Sequence, residues 1–72
     1  MSSHQVSAPI TGVVRLKVKV GDVVKKGDVL CTQSLAKTEA NVVAPSGGTV
    51  KKLAVSEGQS VAQGGLIAEI SG

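Results

Sequence analysis

The chain has 72 residues, room for one domain at most. A core of that size supplies roughly 3–5 kcal/mol of net stability and leaves little structure to house a deep catalytic pocket. The formal charge of +3 would suit nucleic acid, but there is no Phe, Tyr or Trp on which a base could stack.

The lysines are spread along the chain as Lys17, Lys19, Lys25, Lys26, Lys37, Lys51 and Lys52, the pattern of a solvated outer face rather than a nucleic-acid patch. The single cysteine, Cys31, excludes an intramolecular disulfide and a cysteine-cluster metal site, and His4 adds no second ligand. No apolar run reaches the about 18 residues that would span a bilayer, so direct membrane insertion is not expected. The opening Met1-Ser2-Ser3-His4-Gln5 lacks the basic and apolar regions of a signal peptide, and a cytoplasmic location is the expectation.

Taken in order, residues 1–5 are expected to form a flexible tail and residues 6–71 a single domain. From Val14 to Val20 the apolar residues fall at even positions, Val14, Leu16, Val18 and Val20, with Arg15, Lys17 and Lys19 between them. That period of two predicts a strand with one buried face. Gly21-Asp22 and Gly27-Asp28 predict turns, with the aspartates as turn residues rather than acid/base groups. Val29–Ser34 predicts a second long strand. Leu35, Ala36, Lys37 and Thr38 follow as a hairpin tip, and Glu39–Val43 as the returning arm. Pro45-Ser46-Gly47-Gly48 is the strongest break in the chain.

After that break the same grammar starts again. Ala8-Pro9 recurs as Ala44-Pro45 and Gly12 as Gly48, an offset of 36, whereas Leu16 and Val18 recur as Leu53 and Val55, an offset of 37. Gly21-Asp22-Val23-Val24-Lys25-Lys26-Gly27 reappears as Gly58-Gln59-Ser60-Val61-Ala62-Gln63-Gly64. Two copies are too few for a solenoid. They predict two interlocked halves that bury each other's apolar faces about a pseudo-two-fold axis. The change of offset, with Lys51 and Lys52 between Val50 and Leu53, predicts a β-bulge at one of those lysines. The predicted core is Val14, Leu16, Val18, Val24, Val29, Val50, Leu53, Val55, Val61, Leu66 and Ile70. Cys31 corresponds by repeat to Ala68 and reads as a small inward residue. Glu57-Gly58 reads as a turn, and Glu69 as strand surface.

The Ala-Pro-x-x-Gly opening, the stretch Val20-Gly21-Asp22-Val23-Val24-Lys25-Lys26-Gly27-Asp28-Val29-Leu30 and the later Gly48-Thr49-Val50-Lys51-Lys52-Leu53 resemble the biotinyl carrier domains of biotin-dependent carboxylases and decarboxylases. The resemblance runs from Val6 to Ile70. In that family the modified lysine lies eight residues before the proline of the second Ala-Pro, which is Lys37 counted back from Pro45. Glu39 matches the family's glutamate two residues beyond the lysine. The resemblance implies an all-β barrel-sandwich hybrid, a flattened barrel of two four-stranded antiparallel sheets. It implies a non-catalytic carrier with biotin joined covalently to Lys37 and with Ala36 and Thr38 as the flanking turn residues.

Its implied partners are a biotin protein ligase and the biotin carboxylase and carboxyltransferase or decarboxylase subunits between which the arm swings. The motif itself departs from the family. Where Glu-Ala-Met-Lys-Met is usual, this chain reads Ser34-Leu35-Ala36-Lys37-Thr38, and the usual lipoyl motif Glu-Thr-Asp-Lys-Ala is matched no better. A lipoyl carrier of a 2-oxo acid dehydrogenase-type complex and an unmodified barrel-sandwich adaptor therefore stand as alternatives.

Overall fold

A computed structural model describes residues 3–72 of the chain. The described residues form eight strands and no helix: β1 Ser3–Ser7, β2 Gly12–Leu16, β3 Val23–Val24, β4 Val29–Leu35, β5 Thr38–Val43, β6 Gly48–Leu53, β7 Ser60–Val61 and β8 Leu66–Ser71. They make two four-stranded sheets, ordered β1-β8-β6-β3 and β5-β4-β2-β7, with every pairing antiparallel. The alternation of apolar and polar residues sets one face of each sheet inward. The result is a flattened barrel with principal extents of 38 × 19 × 18 Å.

The internal repeat is the organising device. Exchanging β1 with β5, β2 with β6, β3 with β7 and β4 with β8 turns one sheet order into the other. Each half thus donates strands to both sheets. The hydrogen bonds outside the ladders repeat in the same way. Gly21 N donates to Val50 O at 2.8 Å, and Gly58 N donates to Val14 O at 2.8 Å. Gly27 N donates to Ala44 O, and Gly64 N to Ala8 O. The turn before Asp22 closes when Lys19 N donates to Asp22 Oδ2 at 3.0 Å, and the turn before Gln59 closes when Ser56 N donates to Gln59 Oε1 at 2.9 Å. Asp28 Oδ2 accepts from Lys25 N in the same manner. Both aspartates are turn residues, as their glycine neighbours suggest.

Leu53 is half-buried and Val55 buried, and their repeat mates Leu16 and Val18 are both half-buried. The bulge falls at Lys51, which is skipped between the rungs Val50↔Ile70 and Lys52↔Glu69. Two further bulges shape the core. Leu30 is skipped between Val29↔Val43 and Cys31↔Val42, and its repeat mate Ile67 is skipped between Leu66↔Ser7 and Ala68↔Val6. A bulge lets two consecutive side chains share a face. Leu30 with Cys31 and Ile67 with Ala68 all point inward and are fully buried.

That displaces two expected core residues. Val29 is turned outward at 36% exposure, and Leu66 is only half-buried. The strand expected to run to Val20 stops at Leu16, because the Lys19–Asp22 turn lifts the chain off the sheet; Val20 is 58% exposed. The expected tail is also partly strand. Ser3, His4 and Gln5 pair with Ser71, Ile70 and Glu69, since β8 has a free edge there, while Met1 and Ser2 lie outside the described residues.

Candidate functional site

β4 and β5 are joined by the tightest connection in the chain. Leu35 pairs with Thr38, so the arms are one residue longer on each side than the sequence suggests and the loop is Ala36-Lys37 alone. Ala36 has φ of +53° and Lys37 does not share the positive sign, which places the backbone demand of this two-residue hairpin on Ala36. The consequence is local. Lys37 is carried at the apex, exposed, between two exposed small side chains, Ala36 and Thr38. Among the described residues its amine enters no ion pair; the one pair there joins Lys51 to Glu69 at 4.0 Å. A primary amine on a four-carbon stem, held at the end of a rigid ladder, can be reached from most directions.

The turn is well anchored. Five rungs, from Cys31↔Val42 to Leu35↔Thr38, run unbroken to the apex. On the other side β4 is held by β2 through Val13↔Ser34 to Leu16↔Cys31. β5 has no further strand neighbour, so the hairpin forms one edge of its sheet. Glu39 stands opposite Ser34 on the outward face, two residues beyond the lysine. A shallow polar groove of about 480 Å³ runs down that face, bounded by Arg15, Lys17, Thr32, Ser34, Glu39 and Glu57.

The site residues expected from sequence, Lys37, Ala36 and Thr38, are brought together at one turn. Two residues near it escaped that reading. Glu57 lies in the turn expected at Glu57-Gly58, and its carboxylate also accepts from Leu16 N at 2.6 Å, a contact the sequence did not signal. Gln33 lies fully buried beneath the hairpin. Cys31 is buried at the base of the same arm, and burial pushes its thiol above the ordinary value, which keeps it protonated and unreactive. Among the described residues no group of three His, Cys, Asp or Glu side chains is placed to hold a metal ion.

Two interlocked half-barrels carry one lysine at the apex of a two-residue turn. Over residues 1–70 the chain matches the biotin/lipoyl family described as "Biotin-requiring enzyme", and it belongs to that family. It is similar to pyruvate carboxylase of Aspergillus terreus, with 44% identity over 70 residues covering 96% of this chain and 6% of that protein. It is also similar to the dihydrolipoyllysine-residue acetyltransferase component of the pyruvate dehydrogenase complex of Buchnera aphidicola, with 34% identity over 67 residues covering 93% of this chain and 16% of that protein. Among solved structures, the Kluyveromyces lactis urea carboxylase superposes with a TM-score of 0.88 at 30% identity, covering 99% of this chain and 6% of that one. The chain therefore spans only a small part of the length of the relatives it matches.

Proposed function

We propose that this chain is a biotin carboxyl carrier and that Lys37 is its attachment point. One observation carries the reading: the two-residue turn holds the Lys37 amine clear of the barrel on an unbroken ladder. The residues present fit the group. Ala36 and Thr38 are small and exposed, so an amide between Nζ and the valerate carboxyl of biotin meets no obstruction from either neighbour. Bound there, biotin would supply the ring on which a carboxyl group travels.

The protein's own contribution is mechanical. The barrel fixes where the arm starts, and the lysine stem lets its end sweep a small volume. Confinement on a short flexible link raises the effective concentration at a neighbouring active site to about the millimolar range. The work asked of this chain is positional, and the catalytic residues belong to its partners: a biotin protein ligase, then biotin carboxylase and carboxyltransferase or decarboxylase active sites. The similarity to a pyruvate carboxylase over nearly the whole chain supports biotin over lipoate. The similarity to a lipoyl-bearing acetyltransferase keeps lipoate as the second reading.

The test is intact mass after incubation with a purified biotin ligase, ATP and biotin, and separately with a lipoate ligase, ATP and lipoate. One biotinyl group on wild type and none on Lys37→Arg is the expected result. One lipoyl group and no biotinyl group transfers the assignment to the lipoyl carrier. No addition from either enzyme supports an unmodified adaptor.

A further inference from the structure

The two halves repeat the same hydrogen bonds, and one chemical mismatch between them lies at a fully buried position. Gln33 is fully buried on β4, three residues before the Ala36-Lys37 turn. Its mate by the repeat is Ile70, also fully buried, on β8. The correspondence is set by register: Gln33 faces Val14 and Ala40, and Ile70 faces Val50 and His4. The core position beneath Lys37 therefore holds an amide where its repeat mate holds an alkyl side chain.

The amide has a definite geometry. Gln33 Nε2 donates to Gly12 O and to Val61 O, both at 3.4 Å. Gly12 and Val61 form the rung that joins β7 to β2, and β7 has only one other rung, Val13↔Ser60. The side chain therefore reaches from β4 beyond β2 to the two-residue edge strand and ties the base of the hairpin to the barrel wall. The repeat mate of β7 is β3, held by Val23↔Thr49 and Val24↔Gly48, and the residue matching Gln33 is Ile70, whose alkyl side chain can make no such tie.

This arrangement is a poor way to gain stability. Both hydrogen bonds are long, and Gln33 Oε1 accepts none from the described residues. A buried amide satisfied on one side only is less favourable than an apolar side chain of the same volume. The mate position shows that this fold accommodates an apolar residue there.

We propose that Gln33 is a positioning residue for Lys37: its amide fixes the base of the β4–β5 hairpin against β2 and β7, and so holds the turn in the orientation a modifying enzyme reads. The proposal rests on the carrier reading for its enzymatic arm and on the hairpin's own dynamics for its other arm. Without the tie, the competent turn becomes one of several orientations, and the apparent affinity of any enzyme that reads it falls by the fraction lost.

The experiment compares wild type, Gln33→Met and Ile70→Val as full chains. Ile70→Val serves as a mildly destabilised control without a change of polarity. Three quantities are read: melting temperature, amide exchange at Lys37 and Thr38, and the KM and kcat of biotin ligase for the carrier. Gln33→Met is expected to melt no lower than wild type, exchange at the turn about tenfold faster and show a KM about tenfold higher with kcat little changed. Ile70→Val is expected to melt lower with KM unchanged. Wild-type exchange and KM in Gln33→Met overturn the proposal. So does loss of cooperative folding in that variant, which would make the amide a plain structural requirement, and so does a rise in KM that tracks melting temperature across both variants. If wild type itself is not labelled, the biotin reading fails, and exchange at the turn still decides the role of Gln33.

Discussion

Gly12 lies against the backbone of Ser34 so closely that a methyl group on its Cα would stand 2.8 Å from the Ser34 carbonyl oxygen. Its repeat mate Gly48 lies against Ser71 in the same way. Backbone cannot retreat as a flexible side chain can. Gly12→Ala should therefore destabilise the domain by about 1–3 kcal/mol, the usual result of overpacking. Urea denaturation measures it, and a change within about 0.5 kcal/mol would mean the strands separate freely there.

At the turn the sign is reversed. Ala36 holds a positive φ that a Cβ disfavours by about 1–2 kcal/mol. Ala36→Gly removes that cost and adds back some chain entropy in the unfolded state, for an expected net gain of about 0.5–1 kcal/mol. Ala36→Val should lose stability. A glycine variant that is less stable than wild type would show that Ala36 is not strained.

The bulge at Leu30 makes neighbouring valine and leucine unequal. Leu30→Ala should cost about 2–5 kcal/mol and threaten folding outright. Val29→Ala, on the outward face, should stay within about 0.5 kcal/mol. Comparable losses from the two would place the bulge elsewhere.

Cys31 couples stability to pH at the alkaline end. Burial raises its thiol, so the folded chain holds that proton more tightly than the unfolded chain. The contribution is present in full below the unfolded thiol value of about 8.5 and is lost as pH rises through the folded value. The unfolding free energy of wild type should drop more between about pH 8 and pH 10 than that of Cys31→Ala. Equal slopes would show that the thiol is accessible to solvent in the folded state.

The features that were legible in the sequence are those encoded by near neighbours. Gly21-Asp22 and Gly27-Asp28 announce their turns, and the repeat predicts the pairing of Leu16 with Leu53. The bulge at Lys51 could be read because two lysines between Val50 and Leu53 break the alternation visibly. The bulges at Leu30 and Ile67 could not, because Val29-Leu30-Cys31 and Leu66-Ile67-Ala68 are apolar throughout and carry no phase. The bond from Glu57 to Leu16 spans 41 residues and has no local signal at all. The place of Lys37 in a hairpin tip was legible from the strand-like runs on either side of it. The burial of Gln33 was not, since a glutamine in a strand ordinarily marks the wet face.

Because neither half completes a sheet alone, the design carries an implication for ancestry. Ser3 stands opposite Ser71 as Glu39 stands opposite Ser34. The second rung from the lysine turn, which joins the two halves, is thus matched by a rung between the first and last described strands, which joins them again. A chain of half this length, with the same pattern, would find its missing strands only in a second copy of itself. It would exist as an intertwined homodimer with two equivalent corners. Fusing the copies through one of those corners yields a single asymmetric molecule, and the fused corner is the place where Lys37 now sits.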